Sequence, residues 1–331
     1  TPEDCFQQAY DYIVVIFAGI PFTFLYNLLS GWLRSLGDSK TPLFFLVLSS
    51  VLNVILDLFF ILVMKLGVFG ASLATVLSQA ISGLLCLLFI AAKVPILHIS
   101  RDEWRMQSGR MKELCAYGVP MGLQYSITAI GSMVMQSANN GLGSVCVSGF
   151  TAGMRIKQFT MCPFDAFATA ASVFCSQNLG AGKADRIKQG LRQGVAVAVG
   201  YGAFAGLILI FAGRTLSMIF VSKDSVEVLD ASAKYLRCMG YFYWTLGILN
   251  VCRMVTQGLG YSGRAVFSGV MEMLARTIVS LGFVGMFGFT AICFADQTAW
   301  VAASLYIAPT CLYCIRKSTK KLEAGKAMQQ G

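Results

Sequence analysis

The sequence predicts an all-α protein that crosses a membrane several times. Of its 331 residues, 56% are hydrophobic and only 13% are charged, a composition too apolar for a soluble domain of this size. The apolar residues form nine long runs separated by polar segments, and runs such as Val68 to Ala92 can cross about 30 Å of hydrocarbon as helices. We therefore expect a polytopic membrane protein with nine transmembrane helices in this chain.

The order of the apolar runs gives the order of the helices. They are expected at residues 8–33, 42–65, 68–92, 114–137, 144–176, 191–213, 235–257, 265–288 and 295–315. The seventh run has the shortest charge-free core, which lies between Arg237 and Arg253.

Basic residues indicate the orientation of these helices. Eighteen of the 26 basic residues, with Arg253 counted among them, lie in one set of alternate loops and in the tail at 316–331. The positive-inside rule places that set in the cytoplasm. We expect a multi-pass protein of the cell membrane whose C-terminus is cytoplasmic.

Several function classes are disfavoured. The formal net charge is +10, but the basic residues are spread over short loops and not along one face, so no nucleic-acid partner is expected. The eleven cysteines are scattered, and the one C-x-x-C, from Cys311 to Cys314, has no histidine near it. The single histidine, His98, has no paired acid, and no P-loop is present. We therefore predict neither an enzyme nor a bound cofactor.

The strongest functional signal is a polar pair in the second helix. Asn53 and Asp57 lie one turn apart in the segment from Pro42 to Met64, which contains no other charge, so both side chains face the same way. A carboxylate near the bilayer centre costs about 2.5 to 3.5 kcal/mol and needs a partner or a wet cavity. Two readings stay open: a site for a coupling ion, or a pair that bonds neighbouring helices together.

Other charged residues inside the apolar runs suggest a cavity lining or an intramembrane charge network. Arg155, Lys157 and Asp165 lie in the fifth helix. Glu272 and Arg276 are four residues apart in the eighth, a spacing that lets the two charges neutralise each other within one helix.

The chain is expected to hold part of a longer, repeated architecture. Its loop charges place Thr1 outside, so a protein that starts inside needs an odd number of earlier spans. The turn at 35–39 after the first helix resembles the turn at 258–262 after the seventh. If helices one to three repeat as seven to nine, three earlier spans would complete two six-helix halves. We expect a partial N-terminal lobe at 1–92, a cytoplasmic linker at 93–111, a six-helix C-terminal lobe at 112–315 and a basic cytoplasmic tail at 316–331.

Three blocks of sequence together resemble the multidrug and toxic compound extrusion (MATE) transporters. They are LRSLGDSKTP at 33–42, LGVFGASLATVLSQ at 66–79 after the Asn53-x-x-x-Asp57 pair, and QNLGAGK at 177–183. The resemblance covers essentially the whole chain and matches its helices to the fourth through twelfth of that family.

This resemblance implies a two-lobed, twelve-helix (6+6) antiporter that exports organic cations and amphipathic drugs in exchange for Na+ or H+. It also implies a cation site at Asn53, Asp57 and Thr75, which match three of four residues implicated in the family, the fourth being on a helix outside this chain. We expect a monomer in the lipid bilayer. Two alternatives stay open: a flippase for lipid-linked precursors, which needs several basic cavity residues for a pyrophosphate, and a non-transporting remnant.

Overall fold

The computed structural model describes residues 3–98 and 107–330, and all regular structure within these ranges is helical. The prediction of an all-α polytopic membrane protein is confirmed. The long helices are α1 (Glu3–Ser35), α2 (Lys40–Val63), α3 (Gly67–Lys93), α4 (Ser108–Asn140), α5 (Ser144–Gly180), α6 (Ala184–Ser217), α7 (Val226–Gly258), α8 (Ser262–Phe287) and α9 (Phe289–Gln330). A short 3₁₀ turn at Pro95–Leu97 follows α3.

Six of these helices, α1, α2, α3, α6, α8 and α9, are long and apolar enough to cross a membrane within the described ranges. The other three, α4, α5 and α7, are at least as long as most of these, but polar residues interrupt their apolar runs. Those residues point inward: Gln124, Lys157 and Arg253 are 1%, 7% and 8% exposed. These buried polar residues lower the mean hydropathy of α4, α5 and α7. A helix that turns its polar groups into a bundle can still present an apolar face to lipid.

The chain forms two compact units, Thr1–Met106 and Gln107–Gly331. In the first unit, α1 and α2 both pack on α3. Its small core joins Leu29 and Leu33 of α1, Phe45 of α2, and Cys86 and Ile90 of α3. Residues 99–106 of the expected linker lie outside the described residues.

The second unit contains the six helices α4 to α9, and α7 lies at its centre against α5, α6 and α9. Aromatic rings fill this core: Phe164 meets Tyr243 edge to face at 5.1 Å, and Tyr243 lies 5.9 Å from Trp300. Between α6 and α7, Gly206 and Gly240 allow the backbones to touch, since a Cβ on Gly206 would lie 2.5 Å from the Gly240 carbonyl oxygen.

Helices α1, α5 and α7 end in the same backbone turn. Each is followed by a glycine in the left-handed region: Gly37 at φ +91°, Gly182 at +68° and Gly260 at +89°. The glycine N–H donates to the carbonyl three residues earlier, and the next N–H donates to the carbonyl five residues earlier. This is the Schellman arrangement, which favours glycine because a Cβ would be strained there. The turns after the first and seventh helices therefore share a hydrogen-bond pattern as well as a sequence resemblance.

Helices α2 and α8 share a second irregularity. Each widens into a π-helix near its end, at Phe59–Val63 in α2 and at Ile278–Phe283 in α8, which then resumes as an α-helix at Val284–Phe287. In the expected repeat of helices one to three as seven to nine, α2 corresponds to α8. The two π segments thus fall in corresponding helices of the expected repeat.

The last helix differs from its expected bounds of 295–315. It begins at Phe289 and runs without a break to Gln330, so most of the segment expected as a basic tail is helical. The charges at 316–321 end the apolar run but not the helix, because lysine, leucine, glutamate and alanine all favour helical backbone.

Candidate functional site

In the first unit, the polar pair of α2 faces α3. The Asn53 side-chain nitrogen donates to the Thr75 hydroxyl at 3.4 Å, and that hydroxyl donates to the Ala71 carbonyl at 3.0 Å. One carboxylate oxygen of Asp57, Oδ1, is buried and accepts no hydrogen bond from any residue that the structure describes. The structure therefore brings Asn53 and Thr75 into contact. One turn farther along α2, it places a carboxylate oxygen of Asp57 that accepts no hydrogen bond from the described residues.

The oxygen atoms of Asn53, Asp57 and Thr75 are of the types that bind a small cation. A carboxylate, an amide oxygen and a hydroxyl are hard ligands of the kind that alkali cations prefer, and an unbonded carboxylate can instead accept a proton. The Asn53 contact uses the amide nitrogen and not its oxygen. Of the three residues in the resemblance-based cation site, Asp57 offers an oxygen with no internal hydrogen bond, whereas the Thr75 hydroxyl already accepts from Asn53 and donates to Ala71.

In the second unit, a buried carboxylate joins four helices. Asp296 of α9 is 0% exposed and accepts hydrogen bonds from Lys157 of α5 at 2.5 Å, Tyr235 of α7 at 2.8 Å and Arg276 of α8 at 3.0 Å. Both oxygens are used, Oδ1 by the guanidinium and Oδ2 by the amine and the phenol. Three donors from three other helices fix this carboxylate in place.

A second carboxylate lies in the same region. Glu272 of α8 accepts from Arg253 of α7 at 2.6 Å and from the Thr128 hydroxyl of α4 at 3.4 Å. Its contact with Arg276 on its own helix is 3.9 Å, longer than the Arg253 bond. Glu272 and Arg276 each make their shortest ion pair with another helix, so they mainly connect helices and do not chiefly neutralise each other.

Three basic and two acidic side chains meet here, and we call them the charge cluster: Lys157, Arg253, Glu272, Arg276 and Asp296. All five are less than 10% exposed. Lys157 also places its amine 5.2 Å from the centre of the Trp300 ring, a cation–π distance.

The charge cluster borders a cavity of about 540 Å³ within the second unit. Side chains of α4, α5, α7, α8 and α9 line it, and α5 contributes one stripe spaced by three and four residues: Thr151, Met154, Arg155, Gln158, Met161, Cys162 and Asp165. The five residues that the sequence suggested for a cavity or charge network, Arg155, Lys157, Asp165, Glu272 and Arg276, all line this space. Among the described residues, Arg155 and Asp165 form no ion pair.

Two members of the charge cluster, Arg253 and Asp296, were not predicted from the sequence. The placement of Arg253 among the loop cations is wrong, because Arg253 lies within α7, is 8% exposed and pairs with Glu272 inside the unit. Asp296 was not singled out, although it is the only acid between Phe289 and Trp300. A lone acid in an apolar run indicates a buried partner, but its partner Lys157 lies 139 residues away in sequence.

Comparisons with known proteins agree on one family and one fold. The family model MatE matches residues 1–59 and 120–281. The probable multidrug resistance protein YpnP of Bacillus subtilis strain 168 is 31% identical over 294 residues, which cover 88% of this chain and 63% of the relative. The FAD transporter of Shewanella oneidensis is 25% identical over 255 residues, covering 75% of this chain and 56% of the relative. The chain spans about three fifths of the length of these curated relatives.

A solved structure has the same fold. It is an outward-facing conformation of a multidrug resistance MATE family transporter of the MOP superfamily, and it superposes with a TM-score of 0.88 at 19% identity. The match covers 94% of this chain and 70% of that one.

Proposed function

Because this chain belongs to the MatE family, we propose that the complete protein is a secondary transporter that exports small amphipathic compounds, organic cations among them, in exchange for Na+ or H+. The observation that carries this proposal is the cavity of about 540 Å³, which charged, methionine and aromatic side chains line inside a membrane-spanning bundle. Flexible methionines and flat rings adapt to varied apolar shapes, while charges orient a ligand. The name of the relative YpnP, a probable multidrug resistance protein, supports the same substrate class.

The coupling ion, in this proposal, binds in the first unit at Asp57 with Asn53 and Thr75. The buried and unbonded Oδ1 of Asp57 supports this role, since a carboxylate oxygen without a donor is available to a cation or a proton. We further propose a monomer in the cell membrane with its C-terminus in the cytoplasm; the distribution of loop charges supports this orientation.

The flippase alternative receives less support from the cavity. A pyrophosphate carries several negative charges and needs basic residues that are free to bind it. Four basic residues line the cavity, but Lys157, Arg253 and Arg276 already bind carboxylates within the unit. Only Arg155 has no such partner among the described residues, which is too little to hold a polyanion.

Dye efflux tests the transport proposal and the coupling site together. Cells that lack other exporters and express the complete protein should accumulate less ethidium, and collapse of the proton and sodium gradients should abolish the effect. Asp57→Asn keeps the size and hydrogen bonding of the side chain but removes its charge, so coupled efflux should fall to background. Asp185→Asn is the matched control, because Asp185 is fully exposed at the start of α6.

Each part of the proposal has its own contrary outcome. Efflux that survives collapse of both gradients would contradict antiport. Normal efflux by Asp57→Asn, with unchanged ion dependence, would remove Asp57 from the coupling site and leave the helix-bonding role.

A further inference from the structure

We propose that the cavity of the second unit also binds amphipathic monoanions, with Arg155 holding the anionic group. This extends the substrate class beyond organic cations and rests on the proposed function only in taking the cavity as the binding site. The charge cluster carries three basic and two acidic side chains, and the cavity adds Arg155 and Asp165, so the whole set has four basic and three acidic members.

The carboxylates of the charge cluster are not free to bind a cationic ligand. Asp296 is inaccessible and has three internal donors, and Glu272 is 3% exposed and bonded to Arg253. A cation that approached either of them would have to displace a basic side chain and leave it buried without a counter-charge, which is costly inside a membrane protein. The cluster therefore presents its excess positive charge to the cavity.

Arg155 is the basic residue best placed to meet an anion. It is exposed along the cavity stripe of α5 and forms no ion pair with any described residue. Gln158, three residues farther along the same stripe, adds an amide donor that also lines the cavity. A guanidinium binds a carboxylate through two parallel hydrogen bonds, which gives the site a preferred geometry as well as charge.

The position of Arg155 separates it from the acidic part of the cavity. Ten residues along α5 place Asp165 roughly 15 Å away along the helix axis. Arg155 and Thr151 also line a second cavity of about 480 Å³, shared with Phe220 and Val221 near the turn before α7. Arg155 thus lines both cavities, and an anionic group bound there can leave the apolar part of a ligand in the larger one, which Met154 and Trp300 also line.

The proposal is tested with three fluorescent probes that share one dansyl group: neutral dansylamide, monoanionic dansylglycine and cationic dansylcadaverine. Their dissociation constants are measured on the purified complete protein in detergent. Dansylglycine should bind more tightly than dansylamide. Arg155→Gln should weaken dansylglycine roughly tenfold or more, the loss expected when a charge-assisted hydrogen bond is removed, and should leave dansylamide within about twofold.

Two further variants show whether charge is the cause. Asp165→Asn should strengthen dansylglycine and weaken dansylcadaverine, the reverse of Arg155→Gln. Arg155→Lys retains the charge but loses the paired donors, so it should bind dansylglycine with intermediate affinity and serves if Arg155→Gln does not fold. Arg186→Gln, an exposed change at the start of α6, is the matched control.

The outcomes separate this inference from the proposed function. Equal affinity for dansylglycine and dansylamide, or equal shifts for all three probes in Arg155→Gln, would overturn the anion site even if cationic dyes are exported normally. Selective loss of dansylglycine in Arg155→Gln supports the site even if the protein fails to export ethidium, a failure that would count against the transport proposal alone.

Discussion

Asp296 is the residue whose replacement should destabilise the second unit most. Its carboxylate accepts hydrogen bonds from three other helices, and Asp296→Asn removes the charge while keeping the size. Among the described residues, Lys157 then has no acidic partner, and the acidic partner left to Arg276 is Glu272 at 3.9 Å. Removal of one member of a buried ion pair typically costs about 3 to 5 kcal/mol, a large part of the roughly 5 to 15 kcal/mol that stabilises a folded domain.

Lys157→Met should change the stability in opposite directions in the wild type and in Asp296→Asn. In the wild type, the change leaves Asp296 with Arg276 and Tyr235 and removes one charge-assisted bond, so it should destabilise by about 1.5 to 3 kcal/mol. In Asp296→Asn, the same change removes a buried amine that has lost its counter-charge. It should therefore restore part of the lost stability.

Denaturant titration of the purified protein in mild detergent, followed by tryptophan fluorescence, measures all four members of this cycle. Trp300 lies 5.2 Å from the Lys157 amine and reports on the same region. Lys188→Met is the control, because its exposed 3.8 Å pair with Asp185 should contribute less than about 1 kcal/mol. If Lys157→Met destabilised both backgrounds equally, the two charges would not be coupled and the reasoning from burial would be refuted.

Two further expectations concern backbone packing and a helix start. Gly206→Ala should lower the melting temperature, corresponding to about 1 to 3 kcal/mol of overpacking, because its Cβ would lie 2.5 Å from the Gly240 carbonyl oxygen; Gly200→Ala, with no atom within 4 Å of the added Cβ, should not. At the start of α2, the Thr41 hydroxyl and the backbone N–H of Thr41, 3.1 Å away, hold the pKa of the Asp38 carboxyl below its usual value. Its contribution to stability is therefore present above the unfolded pKa of about 3.9 and lost as pH falls through the folded pKa, and acid titration of Asp38→Asn should lack that step.

The helices and their order follow from the apolar runs because a membrane span must be long and mostly apolar. The glycine turns after α1 and α7 could be paired from a short motif, since few other residues tolerate a φ near +90°. The end of α9 could not be predicted from hydropathy. The change at 316 is one of polarity and not of helical propensity, and the backbone continues to Gln330.

Some residues of the candidate site could be predicted from the sequence and others could not. Asn53 and Asp57 could be selected because polar residues stand out in apolar helices, and the family resemblance added Thr75, which the structure places against Asn53. The pairing of Lys157 with Asp296 could not be predicted, since nothing in one sequence specifies which two positions 139 residues apart meet in space. Arg253 was misplaced because a basic residue near the end of a span resembles a loop residue until its buried partner Glu272 is known.

Asp57 and Asp296 differ in a property that matters for reversible ion binding. Asp296 has both oxygens bonded to internal donors, so a cation or proton could bind there only by breaking an ion pair that burial makes strong. Asp57 keeps a buried oxygen with no donor among the described residues, so binding there displaces no protein contact. An ion that must bind and leave in every cycle needs a site of the second kind. A carboxylate of the first kind instead fixes the helices around the cavity and sets the charge that a substrate meets.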